Sequence, residues 1–74
     1  MNEIEINKEP VELYKILKFE GLAGSGGEAK ALIEQGLILL NGVTETQKRK
    51  KIVSGDILEL NKQQYKVTFN KSAT

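Results

Sequence analysis

Cysteine, histidine and tryptophan are all missing from this chain. Without cysteine there are no disulfide staples and no thiolate metal sites. Without histidine the chain lacks the usual general base, the usual imidazole ligand and the side chain that changes charge near neutral pH. Together these absences count strongly against most enzyme classes. Aromatic residues are scarce too, two Phe and two Tyr, so the core must come mostly from Leu, Ile and Val. No apolar run approaches the roughly 20 residues that span a bilayer. The opening Met-Asn-Glu-Ile-Glu-Ile is acidic and has no apolar h-region, unlike a signal peptide, so the cytoplasm is the expected compartment.

At 74 residues the chain has room for one domain. A domain of that size buries only about 60% of the surface its unfolded chain exposes, so its stability is modest. Residues 1–74 are read as that single unit, with a core from about 10 to 69 and a frayed tail at 70–74. The net charge of +1 conceals an asymmetry. Residues 1–45 carry four basic and eight acidic side chains, whereas residues 46–74 carry seven basic and two acidic. Such a split between halves hints at a surface that faces a polyanion.

The most informative stretch runs from Ser25 to Gly42. Ser25 followed by Glu28 has the spacing of a capping box, in which the hydroxyl and the carboxylate satisfy each other's orphan amides. Ala29, Leu32 and Ile33 then form the apolar stripe of an amphipathic helix. Gly36 stands where a left-handed cap needs a residue without Cβ. Leu37 to Leu40 is a short apolar run, and Asn41-Gly42 is a strong signal for a two-residue hairpin turn.

The flanks extend this pattern. Glu3-Ile4-Glu5-Ile6 alternates like a half-buried strand. Pro10 suits the first turn of a helix, where a missing amide hydrogen costs nothing. Leu13, Ile16 and Leu17 mark one side of that helix, Lys15 and Lys18 another, and Gly21 with Leu22 suits a Schellman ending. Beyond the hairpin, Val43 to Thr46 reads as a returning strand. Ile52-Val53, Ile57 to Leu60 and Gln64 to Phe69 add further strand segments, with turns at Ser54 to Asp56 and Asn61 to Gln63. The predicted class is α+β: two packed N-terminal helices followed by a small, mostly antiparallel sheet, with a short N-terminal edge strand.

Ser25, Ala29, Leu32, Ile33, Gly36, Ile38, Leu40, Asn41 and Gly42 resemble, in register, the RNA-binding domain named after ribosomal protein S-four, the alpha-L motif. The likeness continues to Gly55-Asp56 and covers roughly Val11 to Leu60. Among that family, the chain most resembles the small stand-alone bacterial members. The resemblance implies a non-catalytic module for structured RNA, ribosomal or transfer, acting in ribosome assembly or translation without a cofactor or metal.

The candidate contacts follow from charge and geometry. Lys48-Arg49-Lys50-Lys51 places four cations side by side, a repulsion that phosphates relieve as counterions are released. In isolation such a run reads as a solvated loop. The resemblance, which puts the preceding hairpin near the RNA-facing side, favours phosphate contact. Ser25, Gly26 and Gly27 leave backbone amides accessible at a helix N-terminus, and Lys30 stands one turn further in. Lys15 and Lys18 are secondary candidates, since a charged face balanced by Glu12 and Glu20 explains them as well. Asn41 is a further secondary candidate, although its part in the turn already accounts for it. Members of the family usually carry basic residues after the serine and before the cap glycine, where this chain has Gly26, Glu34 and Gln35. Its affinity should therefore lean on Lys30 and residues 48–51.

Gly24-Ser25-Gly26-Gly27-Glu28-Ala29 fits a dinucleotide fingerprint, but it follows a helix rather than a buried strand and is set aside. Tyr14, Phe19, Tyr65 and Phe69 fall at periodicities that suit a core better than a stacking platform. Two other functions remain in view: a protein-interaction adaptor, and an RNA-targeting partner of a separate RNA-modifying enzyme. A carrier protein is set aside, because the chain ends Lys-Ser-Ala-Thr and not Gly-Gly. A monomer is expected.

Overall fold

The computed structural model describes residues 2–70. The chain opens with strand β1 (Asn2–Ile6), in which Ile4 and Ile6 turn inward and Glu3 and Glu5 outward. Strand β2 (Val11–Glu12) leads directly into helix α1 (Leu13–Phe19). Pro10, expected in the first turn of that helix, lies outside it. Val11 and Glu12 are drawn instead into a short antiparallel ladder with β5 (Lys51–Ile52), so helical geometry starts only at Leu13.

Seven residues are too few for a helix to stand alone. Packing holds α1, with Leu13, Ile16 and Leu17 fully buried. Gly21 ends it at φ +73°, and the bonds from Leu22 N to Leu17 O (2.9 Å) and Gly21 N to Lys18 O (3.2 Å) complete the anticipated Schellman motif.

Helix α2 (Gly26–Glu34) begins at Ser25, whose Oγ accepts from the Glu28 amide at 3.1 Å. Only this half of the expected capping box forms. The Glu28 carboxylate lies over Gly24 instead, where an added Cβ would meet Oε2 at 3.2 Å. Ala29 and Ile33 face the core. The helix closes with a second Schellman pair, Leu37 N to Leu32 O (3.2 Å) and Gly36 N to Ile33 O (3.0 Å), with Gly36 at φ +78°.

Strands β3 (Leu39–Leu40) and β4 (Val43–Thr44) flank Asn41 (φ 52°) and Gly42 (φ 84°), the all-positive pair of a type I′ turn. Asn61 and Lys62 make a second such turn between β6 (Ile57–Leu60) and β7 (Gln63–Phe69). Gln63, expected in that turn, already pairs with Leu60.

The main sheet has the order β1-β7-β6-β3-β4 and is antiparallel except where β1 runs parallel to β7. The helices thus follow β1 and β2 and precede β3. Ile4, Ile38, Ile52, Leu58 and Val67 meet the apolar sides of both helices in one cluster. The packed unit therefore begins at β1 and not near residue 10. Of the expected frayed tail, residues 71–74 lie outside the described range. Asn70 is bonded to β1, its amide to Ile6 O at 2.9 Å and its side chain to Glu5.

Two glycines make opposite predictions. Gly36→Ala places a Cβ at positive φ and 3.6 Å from Thr44 Cγ2, and should cost about 1–2 kcal/mol. Gly27→Ala adds a Cβ within α2 that meets only Ser25 Oγ, in ordinary van der Waals contact at 3.9 Å, and should gain about 0.5–1 kcal/mol. Thermal unfolding should show shifts of opposite sign, each several degrees for a domain of this size.

Candidate nucleic-acid interface

Helix α1 has no side-chain N-cap. Its first amides are satisfied from across the molecule, Leu13 N donating to Lys50 O at 2.9 Å and Tyr14 N to Lys48 O at 3.1 Å. These bonds, continued by the Glu12–Lys51 pairing, fix the basic segment against the start of α1. The segment's main chain is thereby ordered while its side chains point away from the bonds that hold it.

The cations then diverge. Lys48 Nζ lies 3.4 Å from Glu34 Oε2 in the last turn of α2. Arg49 lies 3.6 Å from Glu12 Oε2, with its guanidinium 5.6 Å from the centre of the Tyr14 ring. Lys50 is held by its carbonyl and half-buried, and Lys51 faces outward on β5 beside buried Ile52. Neither makes an ion pair among the described residues.

Tyr14 is the meeting point. Lys30 Nζ stands 4.7 Å from its ring centre and Lys15 Nζ 6.0 Å, in addition to Arg49. A Cβ added to Gly26 would touch both the Tyr14 ring and the Lys18 stem at 3.9 Å, so the first turn of α2 rests directly on this cluster. Three cations therefore gather at the ring that supports the first turn of α2, with the Lys18 stem alongside, and Glu12 is the carboxylate that faces them, pairing with Lys15 (3.3 Å) and Arg49. Cation–π contacts at exposed positions contribute about 0.5–1 kcal/mol each, enough to tolerate the crowding but not to lock it.

Of the residues singled out from the sequence, Ser25, Gly26, Gly27, Lys30 and Arg49 are brought together, and Lys15 and Lys18 join them. Ser25 Oγ is occupied by the Glu28 amide. The amides of Gly26 and Gly27 have no partner among the described residues and remain available to an anion. Lys48 stands apart, beside Glu34.

Asn41 belongs to the framework. Its Oδ1 accepts from Ile57 N at 2.8 Å, its Nδ2 donates to Asp56 Oδ1 at 3.1 Å, and its own amide donates to Ile57 O at 2.7 Å. Asp56 Oδ2 in turn accepts from Val53 N at 3.0 Å.

Three aromatic assignments change, and one of them is Phe69, expected in the core but 41% exposed at the end of β7. Tyr14, expected in the core, is half-buried and packs against it with one side while supporting the cations with the other. Phe19 is not core at all; it is 67% exposed, with Lys18 Nζ 5.4 Å from its ring. A helical wheel holds the signal for both. Tyr14 and Lys18 are four residues apart, as are Lys15 and Phe19, so both rings fall towards the lysine side of α1. Among the described residues no cluster of His, Cys, Asp or Glu fits a metal ion, and no helix is long and apolar enough to cross a membrane.

A helix pair packed on a small sheet, joined to a tight hairpin and a pinned basic loop, is the architecture of a small RNA-binding domain. The chain belongs to the S4 domain family, whose model matches residues 4–68. It is similar to protein YbcJ of Escherichia coli (strain K12), with 45% identity over 56 residues that make up 74% of this chain and 80% of that protein. The solution structure of YbcJ, described as revealing an alpha-L motif involved in RNA-binding, superposes with a TM-score of 0.69 at 38% identity, covering 92% of this chain and 87% of YbcJ. A Bacillus subtilis (strain 168) protein named "Probable ribosome maturation protein RlbA" is 30% identical over 59 residues, 80% of this chain and 83% of that one. The fold also matches part of the 30S ribosomal protein S4e from Thermoplasma acidophilum, with a TM-score of 0.71 and 26% identity over 85% of this chain and 33% of S4e.

If Asn41 is framework, Asn41→Gly should keep the turn's positive φ but lose both side-chain bonds, lowering stability by about 1–2 kcal/mol. Denaturant titration should show that loss, and the folded protein should keep its RNA affinity.

Proposed function

We propose that this chain is a non-catalytic, monomeric, cytoplasmic module that grips backbone phosphates of structured RNA, and that its RNA is ribosomal. The observation that carries the reading is the gathering of Lys15, Lys30 and Arg49 around Tyr14, with the Lys18 stem against the same turn, beside the open amides of Gly26 and Gly27. A phosphate seated at the start of α2 receives main-chain donors, the positive end of the helix dipole and ammonium or guanidinium groups from three sides. The described relatives support RNA as the polyanion, and the name of the Bacillus subtilis relative favours ribosome maturation over transfer-RNA work. The chain acts as one domain, and the absence of histidine and cysteine leaves it without the usual nucleophile or base.

Glu12 and Glu34 tune this grip. Both are placeholders for phosphate, since exposed ion pairs contribute only about 0–1 kcal/mol and exchange readily. Releasing Lys48 from Glu34 extends the surface towards the far end of α2.

The test is a binding titration with a ribosomal RNA stem-loop at several salt concentrations. The logarithm of affinity should fall against the logarithm of salt with a slope of about −4, the value for four to five neutralised phosphates. Lys30→Ala and Arg49→Ala should each flatten the slope by about one. Glu34→Gln should strengthen binding up to about fivefold by freeing Lys48. An affinity indifferent to salt would sink the proposal.

A further inference from the structure

Between the segment leading into β2 and the outer side of α1 lies an open groove of about 210 Å³, walled in part by Lys8, Pro10, Tyr14, Lys15, Lys18 and Phe19. A single exposed phenylalanine needs no explanation. This one has a particular setting. Phe19 is the most exposed of the chain's four aromatic side chains, and it ends a wall that also carries the Pro10 ring and three lysines. Lys18 Nζ lies 5.4 Å from its ring centre, so an aromatic plane and an ammonium group are offered together. The groove shares Tyr14, Lys15 and Lys18 with the cluster at the start of α2. Glu12, the one acidic residue lining the groove, pairs with Lys15 and Arg49 in the free protein and is outnumbered there by Lys8, Lys15 and Lys18. A second concavity, at the β6–β7 turn, is lined by Glu59 and Lys62 among uncharged side chains and presents no ring.

Resting on the RNA-binding reading above, we infer that this groove is a subsite for one unpaired nucleotide. The base stacks on Phe19, and the phosphates on either side of it are met by Lys8, Lys15 and Lys18. Stacking tolerates any base, because each presents a π face, so the subsite reads unpairedness and not sequence. The module then distinguishes a stem with a neighbouring loop or bulge from a continuous duplex. Its cation cluster alone, which sees only phosphates, has no means to do so. An RNA strand fits this groove better than a peptide because the groove combines a flat ring with three spaced cations continuous with the phosphate-gripping surface.

The experiment compares two RNAs with equal numbers of phosphates: a hairpin with 2-aminopurine at an unpaired loop position, and a blunt duplex. The wild-type protein should bind the hairpin more tightly and quench the 2-aminopurine. Phe19→Ala should weaken hairpin binding roughly tenfold, within the range for loss of one base–aromatic stack, and relieve the quenching, while duplex affinity stays unchanged. The salt slope should not change in this variant, whereas Lys18→Ala should flatten it by about one. Phe19→Trp should restore both affinity and quenching. Phe19→Leu, which keeps apolar bulk without an aromatic face, should behave like Phe19→Ala and carries the same test if the alanine variant folds poorly. Equal losses on both RNAs, or no loss on either while the wild type binds both, would overturn the subsite and leave the phosphate-gripping reading intact. Failure of the wild type to bind either RNA would overturn both, and the groove would then belong to a protein partner.

Discussion

Two main-chain hydrogen bonds, from the amides of Leu13 and Tyr14 to the carbonyls of Lys50 and Lys48, carry more of this structure than their number suggests. They join segments some 35 residues apart in sequence. For α1 they substitute for the side-chain cap it does not have, satisfying amides that would otherwise face solvent at the head of a seven-residue helix. For the basic segment they supply order that its side chains cannot, since adjacent cations repel and favour an extended, mobile loop. One constraint therefore makes the short helix tenable and delivers Arg49 to the ring of Tyr14, the first turn's own aromatic residue.

The surface that results is charged but provisional. Its cations are parked on groups that cost little to leave: a tyrosine face, Glu12 and Glu34. All of these pairings lie at the surface, where water screens them. The framework below is of a different kind, with no buried polar or charged residue among the described ones and no buried side-chain donor or acceptor left without a partner. Rigid apolar packing thus presents an electrostatic surface that rearranges without disturbing it. Asn41 links the two levels, tying the hairpin to the loop at Asp56 with both its side-chain oxygen and its side-chain nitrogen bonded to the fold.

Local chemistry made much of this visible in the sequence. The Schellman ending at Gly21, the left-handed cap at Gly36, the Ser25 cap and the Asn41-Gly42 turn depend on residues within a few positions of one another, and each formed where its residues indicated. The start of α1 was not legible, because Val11 and Glu12 answer to Lys51 and Ile52 and not to Pro10. The reciprocal Glu28 bond failed for a related reason, as its carboxylate found a place over Gly24 instead. In the site, a run of four cations read as one patch, but alternate anchoring of its carbonyls sends Lys48 to Glu34 and Arg49 to Tyr14. The aromatic residues were judged by periodicity alone, which hid that a seven-residue helix has one apolar side and that Phe19 falls off it.

The parallel pairing of β1 with β7 has a consequence for how the molecule is made. Ile4 and Ile6 are synthesised well before the strand that receives them, which lies roughly sixty residues later. At a synthesis rate of about 5–20 residues per second, β1 waits for seconds with two isoleucines exposed while the helices, the hairpin and the basic loop assemble from nearer neighbours. The loop that β1 must close is the longest in the fold, and its entropic cost is met only when β7 arrives. Birth order and folding order are therefore reversed for this strand. The elements that carry the cation cluster, from α1 to β5, are contiguous in the chain, and the edge that completes the sheet comes last.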